Sequence, residues 1–396
     1  MALRPNSHEA PDIVTSASNE PRPAIGEDEA GGLLTIDLAA LVANWRTLAA
    51  KAGGAETAAV VKADAYGMGI DEAVPALYAA GCRTFFVAHL VEARRTRAAA
   101  PDAVIYVLNG LLPGTAAAYP AHDLRPVLGS QEEVEEWAAF CRAGAGRLPA
   151  AIHVDTGMNR LGLRAEAALQ LAEDAELLGA FTPSLVMSHL VSAEEPEHPI
   201  NARQIAAFTH VRERFAGVPA SLSNSSGIFL PQAPHFDLVR PGYALYGGNP
   251  TPERANPMRP VVQLEARIIQ LRWAPDGETV GYNGHWTAQG RRRIATLSVG
   301  YADGYLRTAS GTNLKSGGEA LVAGVRCPFA GRISMDLITL DVSAVPEGAV
   351  QRGDKVTLIG NGLTVDEAGK RAGTIGYEML TDLGKRYYRR YLPAGQ

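Results

Sequence analysis

An alternation constrains this chain more than any other feature. Between about residues 35 and 260, short apolar runs trade places with stretches that carry apolar residues at helical spacing. The candidate strands are 58–62, 84–88, 104–108, 125–128, 150–154, 184–189, 220–223 and 236–240. Helix-like segments 71–80, 90–99, 131–142, 165–178 and 200–215 fall between them, and 38–50 leads in, with Asp37 as its expected N-cap. Parallel strands need a crossover connection, usually a helix. Eight strand–helix units in roughly 225 residues match a parallel (β/α)8 barrel of the TIM type. A doubly wound open sheet is the alternative.

Beyond Pro260 the texture changes. Runs 261–271, 293–299, 319–325, 337–342 and 355–359 are short, often β-branched, and separated by Gly and Pro. That spacing predicts a mainly β domain, interrupted by one helix over 364–372. The expected division is a polar, loosely ordered arm over 1–33, a barrel over 34–260 and a β domain over 261–396. The arm lacks the apolar core of a secretory signal.

With 46% hydrophobic and 20% charged residues, the chain has the makeup of an ordinary globular protein. A net charge of −5 gives no reason to expect nucleic acid or an anionic membrane as partner. No apolar run approaches the roughly 20 residues needed to span a bilayer. The 3 cysteines, Cys82, Cys141 and Cys327, form neither a disulfide framework nor a metal-binding pair, which fits a reducing cytoplasm.

Catalytic groups of such a barrel sit at the C-terminal ends of its strands. The first strand ends in Lys62, followed by a small-residue turn, Ala63-Asp64-Ala65-Tyr66-Gly67. An ammonium at the mouth of an apolar strand is penalised by desolvation, which lowers its pKa and makes a nucleophilic amine suited to Schiff-base chemistry. A lysine that merely snorkels to solvent is the plainer alternative. The fifth strand leads into Asp155-Thr156-Gly157-Met158-Asn159-Arg160, and Ser188-His189 closes the sixth. Asn224-Ser225-Ser226-Gly227 follows the seventh, and the eighth ends in Arg240-Pro241-Gly242-Tyr243. Loops after the seventh and eighth strands commonly bind phosphate in this fold. Ser225 and the backbone N–H groups near Ser226, Gly242 and Tyr243 have the chemistry for it. A nucleophilic lysine beside a phosphate cradle points to pyridoxal phosphate (PLP). Taken singly, His189 reads equally as a core histidine, Ser225-Ser226-Gly227 as a turn, and Arg240 as an ion-pair partner of Asp237 or Asp303.

Over about residues 34–391 the chain resembles the alanine racemases, PLP enzymes of barrel fold (fold type III). The carriers are Val61-Lys62-Ala63-Asp64-Ala65-Tyr66-Gly67, Asp155-Thr156-Gly157-Met158-Asn159-Arg160-Leu161-Gly162, Met187-Ser188-His189 and Arg240-Pro241-Gly242-Tyr243-Ala244-Leu245-Tyr246-Gly247. In the β domain they are Val299-Gly300-Tyr301-Ala302-Asp303-Gly304-Tyr305, Gly331-Arg332-Ile333-Ser334-Met335-Asp336 and Ile375-Gly376-Tyr377-Glu378. The resemblance implies that Lys62 holds PLP covalently and serves as a base on one face of the substrate Cα. It implies that Tyr301, from the partner subunit of a homodimer, is the base on the opposite face. His189 would stand behind Tyr301 and Arg240 behind His189, with Arg240 donating to the pyridine nitrogen. A guanidinium does not give up its proton, so the ring would stay neutral. Tyr66, Ser225, Tyr377 and the backbone of Gly242 and Tyr243 would hold the phosphate. Arg160 and the Met335 N–H would hold the substrate carboxylate, with Asp336 orienting that region.

The chain departs from the resemblance at three places. His153 stands where many members carry a lysine that becomes carbamylated to brace the arginine, so Arg160 is expected to be braced by an anion, a water or His153. Ser221 stands where a histidine often partners the pyridine arginine. Glu194 replaces a usual aspartate in the entry corridor. Alternative readings are a racemase of broad substrate range, a decarboxylase on the same fold, and a PLP-binding protein without catalysis.

Overall fold

The computed structural model describes residues 26–394. Of the expected N-terminal arm, residues 1–25 lie outside the described residues. Residues 26–33 dock on the C-terminal sheet: Glu27 pairs with Lys355 at 2.8 Å, and Arg267 donates to the Ala30 carbonyl at 3.2 Å.

Strand β1 (Gly32–Asp37) runs directly into helix α1 (Leu38–Ala52). Asp37 stops the strand and starts the helix, its carboxylate accepting the Ala40 N–H at 2.8 Å. The barrel follows as β2 (Ala59–Val60), α2 (Ile70–Ala79), β3 (Thr84–Val87), α3 (Leu90–Ala99), β4 (Val104–Val107), β5 (Arg125–Leu128), α4 (Gln131–Phe140), β6 (Pro149–Asp155), α5 (Ala165–Glu173), β7 (Thr182–Met187), α6 (Pro199–Arg212), β8 (Ala220–Ser221) and β9 (Leu238–Val239). Strands β2 to β8 pair in parallel, each with the next. The ring closes through β9. The Asp237 N–H donates to the Ala220 carbonyl at 3.0 Å, and the Ala58 and Val60 N–H groups donate to the Val239 and Pro241 carbonyls at 3.0 and 2.9 Å. The expected barrel is therefore present, and the open sheet is excluded. Every residue of β3, Thr-Phe-Phe-Val, is buried, as a strand covered on both faces must be.

The β domain contains β10 (Val262–Ala274), β11 (Arg292–Leu297), β12 (Glu319–Val322), β13 (Val325–Pro328), β14 (Ile338–Asp341), β15 (Lys355–Ile359), α7 (Val365–Ala372), α8 (Gly376–Thr381) and β16 (Tyr388–Leu392). Its sheet includes β1, antiparallel to β10 and parallel to β16. Chain from the N-terminal side thus completes the C-terminal domain.

Two expected elements are divided. The helix expected over 165–178 breaks at Asp174 (φ −82°, ψ 86°), whose carboxylate instead caps a second short helix by accepting the Leu177 N–H at 2.8 Å. Aspartate competes with the helix for backbone hydrogen bonds, which favours this outcome. The strand expected over 319–325 is a hairpin, β12 with β13, turning at Ala323 and Gly324 (φ 48° and 81°). Two positive φ values suit the twist of a two-residue hairpin.

Candidate active site

At the C-terminal ends of the barrel strands lies a cavity of about 600 Å³. Lys62, Tyr66, Arg160, His189, Ser225, Arg240, Gly242, Tyr243 and Tyr377 all line it, with His153 among them. The structure thus brings together nine of the residues expected at the site. Burial and then Arg160 push the Lys62 pKa down, opposed by Glu92. That is the environment of a nucleophilic amine rather than a snorkelling one.

Lys62 is followed by an unusual backbone. Ala63, Asp64, Ala65 and Tyr66 have φ of 53°, 54°, 55° and 54°, a left-handed turn made without glycine. Each such residue costs roughly 1–2 kcal/mol. The turn is held by its own hydrogen bonds, Ala65 N–H to the Val61 carbonyl at 2.9 Å and Gly67 N–H to the Ala63 carbonyl at 2.8 Å. It is also tied from outside, where Arg95 pairs with Asp64 at 2.8 Å. The result is a Tyr66 ring stacked on Tyr246 at 4.7 Å. Tyr66 lines the cavity, its hydroxyl makes no hydrogen bond among the described residues, and burial of the residue raises its pKa.

Ser225 organises the corner where the phosphate is expected. Its Oγ accepts the Gly242 N–H at 3.0 Å and the Ala244 N–H at 3.2 Å, which leaves its own proton to donate. The Tyr243 N–H meets no acceptor among the described residues. Gly242 was expected to offer its N–H to the phosphate, but that N–H is directed to Ser225. Glycine is needed there for another reason, since a Cβ would collide with the Tyr66 hydroxyl. Tyr243 likewise contributes backbone, because its hydroxyl donates to Asp366 at 2.7 Å. Tyr377 stacks on Tyr243 at 3.8 Å, and its hydroxyl donates to Glu194 at 3.1 Å. Two hydroxyls and a backbone N–H facing one corner, with a basic amine nearby, fit a phosphorylated aldehyde.

Arg240 is buried, and it pairs with neither Asp237 nor Asp303. Its guanidinium donates to Ser221 Oγ and, at 2.6 Å, to the Ser188 carbonyl. Ser221 in turn donates to the Leu238 carbonyl at 2.6 Å. A hydroxyl that accepts from one group and donates to the next thus takes the place of the family's histidine. Burial, Arg240 and Arg160 lower His153 to about 4, and the same causes together with His153 lower His189 to about 3. Both rings are neutral near pH 7. No carboxylate pairs with Arg160 among the described residues, and His153 lines the same cavity.

Tyr301, Met335 and Asp336 are not in this cavity. They lie together on the β domain: the Tyr301 N–H donates to the Ser334 carbonyl at 3.0 Å and the Ala302 N–H to the Met335 carbonyl at 2.9 Å. Gly300 permits that approach, because a Cβ there would strike the Met335 carbonyl. Tyr301 is 40% exposed and Met335 54%, with exposed Tyr282, Leu337 and Ile375 also on this domain. The Met335 N–H has no acceptor among the described residues. Buried Asp303 organises this group. It accepts the Gly300 N–H at 2.8 Å and a two-point contact from Arg386 at 2.7 and 2.8 Å, while Arg386 also donates to Asp336 at 2.8 Å. Arg386 lies outside every sequence motif, and nothing in the motif that holds Asp303 signals its role as the organiser of this group.

The family described as "Alanine racemase, N-terminal domain" matches residues 36–250, and "Alanine racemase, C-terminal domain" matches 261–391. An alanine racemase of Methylobacterium nodulans is 65% identical, covering 91% of this chain and 96% of that protein. One named "Alanine racemase, biosynthetic", from Agrobacterium fabrum, is 49% identical over 91% of this chain and 94% of its own. The crystal structure of the Bartonella henselae alanine racemase with covalently bound pyridoxal phosphate superposes with a TM-score of 0.87 at 39% identity, covering 92% of this chain and all of that one. With a barrel that sets a partly buried lysine in a cavity at its strand ends, and both of its domains matched, this chain belongs to the alanine racemase family.

Proposed function

We propose that this protein interconverts L- and D-alanine by two-base proton transfer at Cα, with PLP held on Lys62 and with sites shared between the subunits of a homodimer. One observation carries the reading. The barrel's expected groups line one cavity, whereas Tyr301, Met335 and Asp336 form a separate exposed cluster on the same chain. Two half-sites that are incomplete alone suit a twofold arrangement in which each chain lends its cluster to the other's cavity.

Held on Lys62, PLP would supply an electron-withdrawing ring that makes the substrate Cα proton more acidic. The chain's own residues do the rest. Lys62, with its lowered proton affinity, takes or returns a proton at Cα from one face. Tyr301 does the same from the other. A free phenol has a pKa near 10, so it needs cationic help to work near neutral pH, and Arg160 on the cavity wall supplies that positive charge. Arg160 and the Met335 N–H bind the substrate carboxylate, with Asp336 holding Arg386 beside them. Arg240, fixed by Ser221 and Ser188, presents a donor that keeps its proton. Tyr66, Ser225 and the Tyr243 N–H hold the phosphate. Tyr377 joins them only by leaving Glu194. Because the site has a base on each face, it serves D-alanine formation and D-alanine consumption alike.

We place the protein in the cytoplasm. Its 3 cysteines are buried and free, which suits a reducing compartment. Among the described residues no helix is long and apolar enough to cross a membrane, and the net charge of −5 gives nucleic acid no purchase.

The test is to incubate the PLP-loaded protein with L-alanine or D-alanine separately and follow optical rotation. Both solutions are expected to converge on zero rotation without gas release. Evolution of CO₂ would indicate a decarboxylase, and constant rotation a non-catalytic binder. A panel of other amino acids reads the breadth of the pocket.

A further inference from the structure

We infer that Glu92 is a positioning residue for Lys62: its single carboxylate ties the peptide that follows the lysine to the start of the neighbouring helix α3. This rests on the reading of Lys62 as the cofactor-binding amine. Glu92 Oε1 accepts the Ala63 N–H at 2.6 Å. Its other oxygen accepts the Ala88 N–H at 2.8 Å and the His89 N–H at 3.2 Å. The ends of β2 and β3 are thereby joined through one side chain.

The placement has a physical logic. Ala63 opens the left-handed turn, and its N–H belongs to the peptide bond made by Lys62 itself. A turn of L-residues in this conformation is intrinsically unfavourable. A charged acceptor forms a bond about twice as strong as a neutral one, and here it is applied where the turn begins. The direction in which the lysine leaves the strand is set by that peptide plane. Arg95, one helical turn further along α3, grips Asp64 in the same solvent-exposed segment. Among the described residues, Glu92 is the side chain that accepts from the N–H of the lysine's own peptide.

Neither neighbour could substitute. A glutamine keeps one acceptor oxygen and replaces the other with a donor, which faces the helix N–H groups unfavourably. An aspartate keeps the charge but is one methylene too short to span both loops.

The experiment follows capture of PLP by the cofactor-free protein, fixed with borohydride and located by mass spectrometry, as a function of pH. The charged and titratable groups around Lys62 are Arg160, His153, His189, Arg240 and Glu92, and only the last is changed. In Glu92→Gln the plateau rate of capture is expected to fall by about tenfold or more, from misaim of the amine. The pH midpoint of capture should also move down by about one unit, because a nearby negative charge has been removed. Glu92→Asp should keep the midpoint and still lose plateau rate, and it serves equally if the Gln variant does not fold. A folded variant that captures PLP at the wild-type plateau rate overturns the inference. Lys62→Ala is run in parallel: a fixed adduct elsewhere in that protein overturns the Lys62 reading itself, independently of anything seen at Glu92.

Discussion

At the scale of single residues, the site is a set of groups whose proton affinities and hydrogen-bond directions are fixed by their surroundings. Lys62 is lowered by burial and by Arg160. Lys62→Ala is therefore expected to abolish covalent PLP capture and nearly all turnover. Tyr301→Phe should keep capture and lose racemisation by about 10²–10⁴-fold, the usual worth of a general acid–base group. Steady-state rates and borohydride labelling separate the two. Ser221→Ala removes one of the two acceptors of a buried guanidinium. It should destabilise the protein by about 1–3 kcal/mol in urea titrations, the cost of leaving a charged donor unsatisfied. Much of this scale was legible in the sequence, because Lys62, Arg160, His189, Ser225 and Arg240 all sit at strand ends, where the barrel must carry its chemistry. What was not legible is which way each group points. The Gly242 N–H, the Tyr243 hydroxyl and the Tyr377 hydroxyl all turn to partners of the protein's own: Ser225, Asp366 and Glu194. Such partners lie far away in sequence and are brought near only by folding.

At the scale of elements, the left-handed turn after Lys62 shows what periodicity cannot announce. Nothing in Ala63-Asp64-Ala65 asks for positive φ. The conformation is imposed by Glu92, Arg95 and the Tyr66–Tyr246 stack. Ala63 is exposed, so Ala63→Gly relieves strain without opening a hole. It is expected to stabilise by up to about 1 kcal/mol, read as a higher urea midpoint. The regular elements were legible where their signals are local: Asp37 caps α1, and Thr364 caps α7, its Oγ accepting the Glu367 N–H at 3.1 Å. β1 escaped notice because its partners, β10 and β16, lie at the far end of the chain. His153, buried on β6, and His189, just beyond the end of β7, set a pH dependence. Both have native pKa values, about 4 and about 3, below the usual 6.5, so the unfolded chain binds more protons between those values. Stability is therefore fully present above about pH 6.5 and is lost as pH falls toward 4. Each histidine contributes a slope of roughly 1 kcal/mol per pH unit in that window. His153→Gln should make denaturant stability less steep between pH 6.5 and 4.5. An unchanged slope would mean that His153 is charged in the native protein.

At the scale of the whole molecule, the two domains divide the chemistry. In the proposed mechanism the barrel supplies the cofactor's amine and cradle, and the β domain supplies a phenol and a carboxylate-binding N–H, which lie on an exposed face of the same chain. The architecture was legible because a closed parallel barrel leaves a strong repeating signal. The separation of the half-sites was not legible from spacing and becomes visible only when both are placed on one molecule. The most direct test of a shared site is subunit complementation. Lys62→Ala and Tyr301→Phe chains, each inactive alone, are co-expressed with different tags and the mixed dimer is purified. If each cavity borrows its phenol from the partner, one of the two sites in that dimer has both bases, and it should racemise alanine at about half the wild-type rate. A mixed dimer as inactive as its parents would contradict the account.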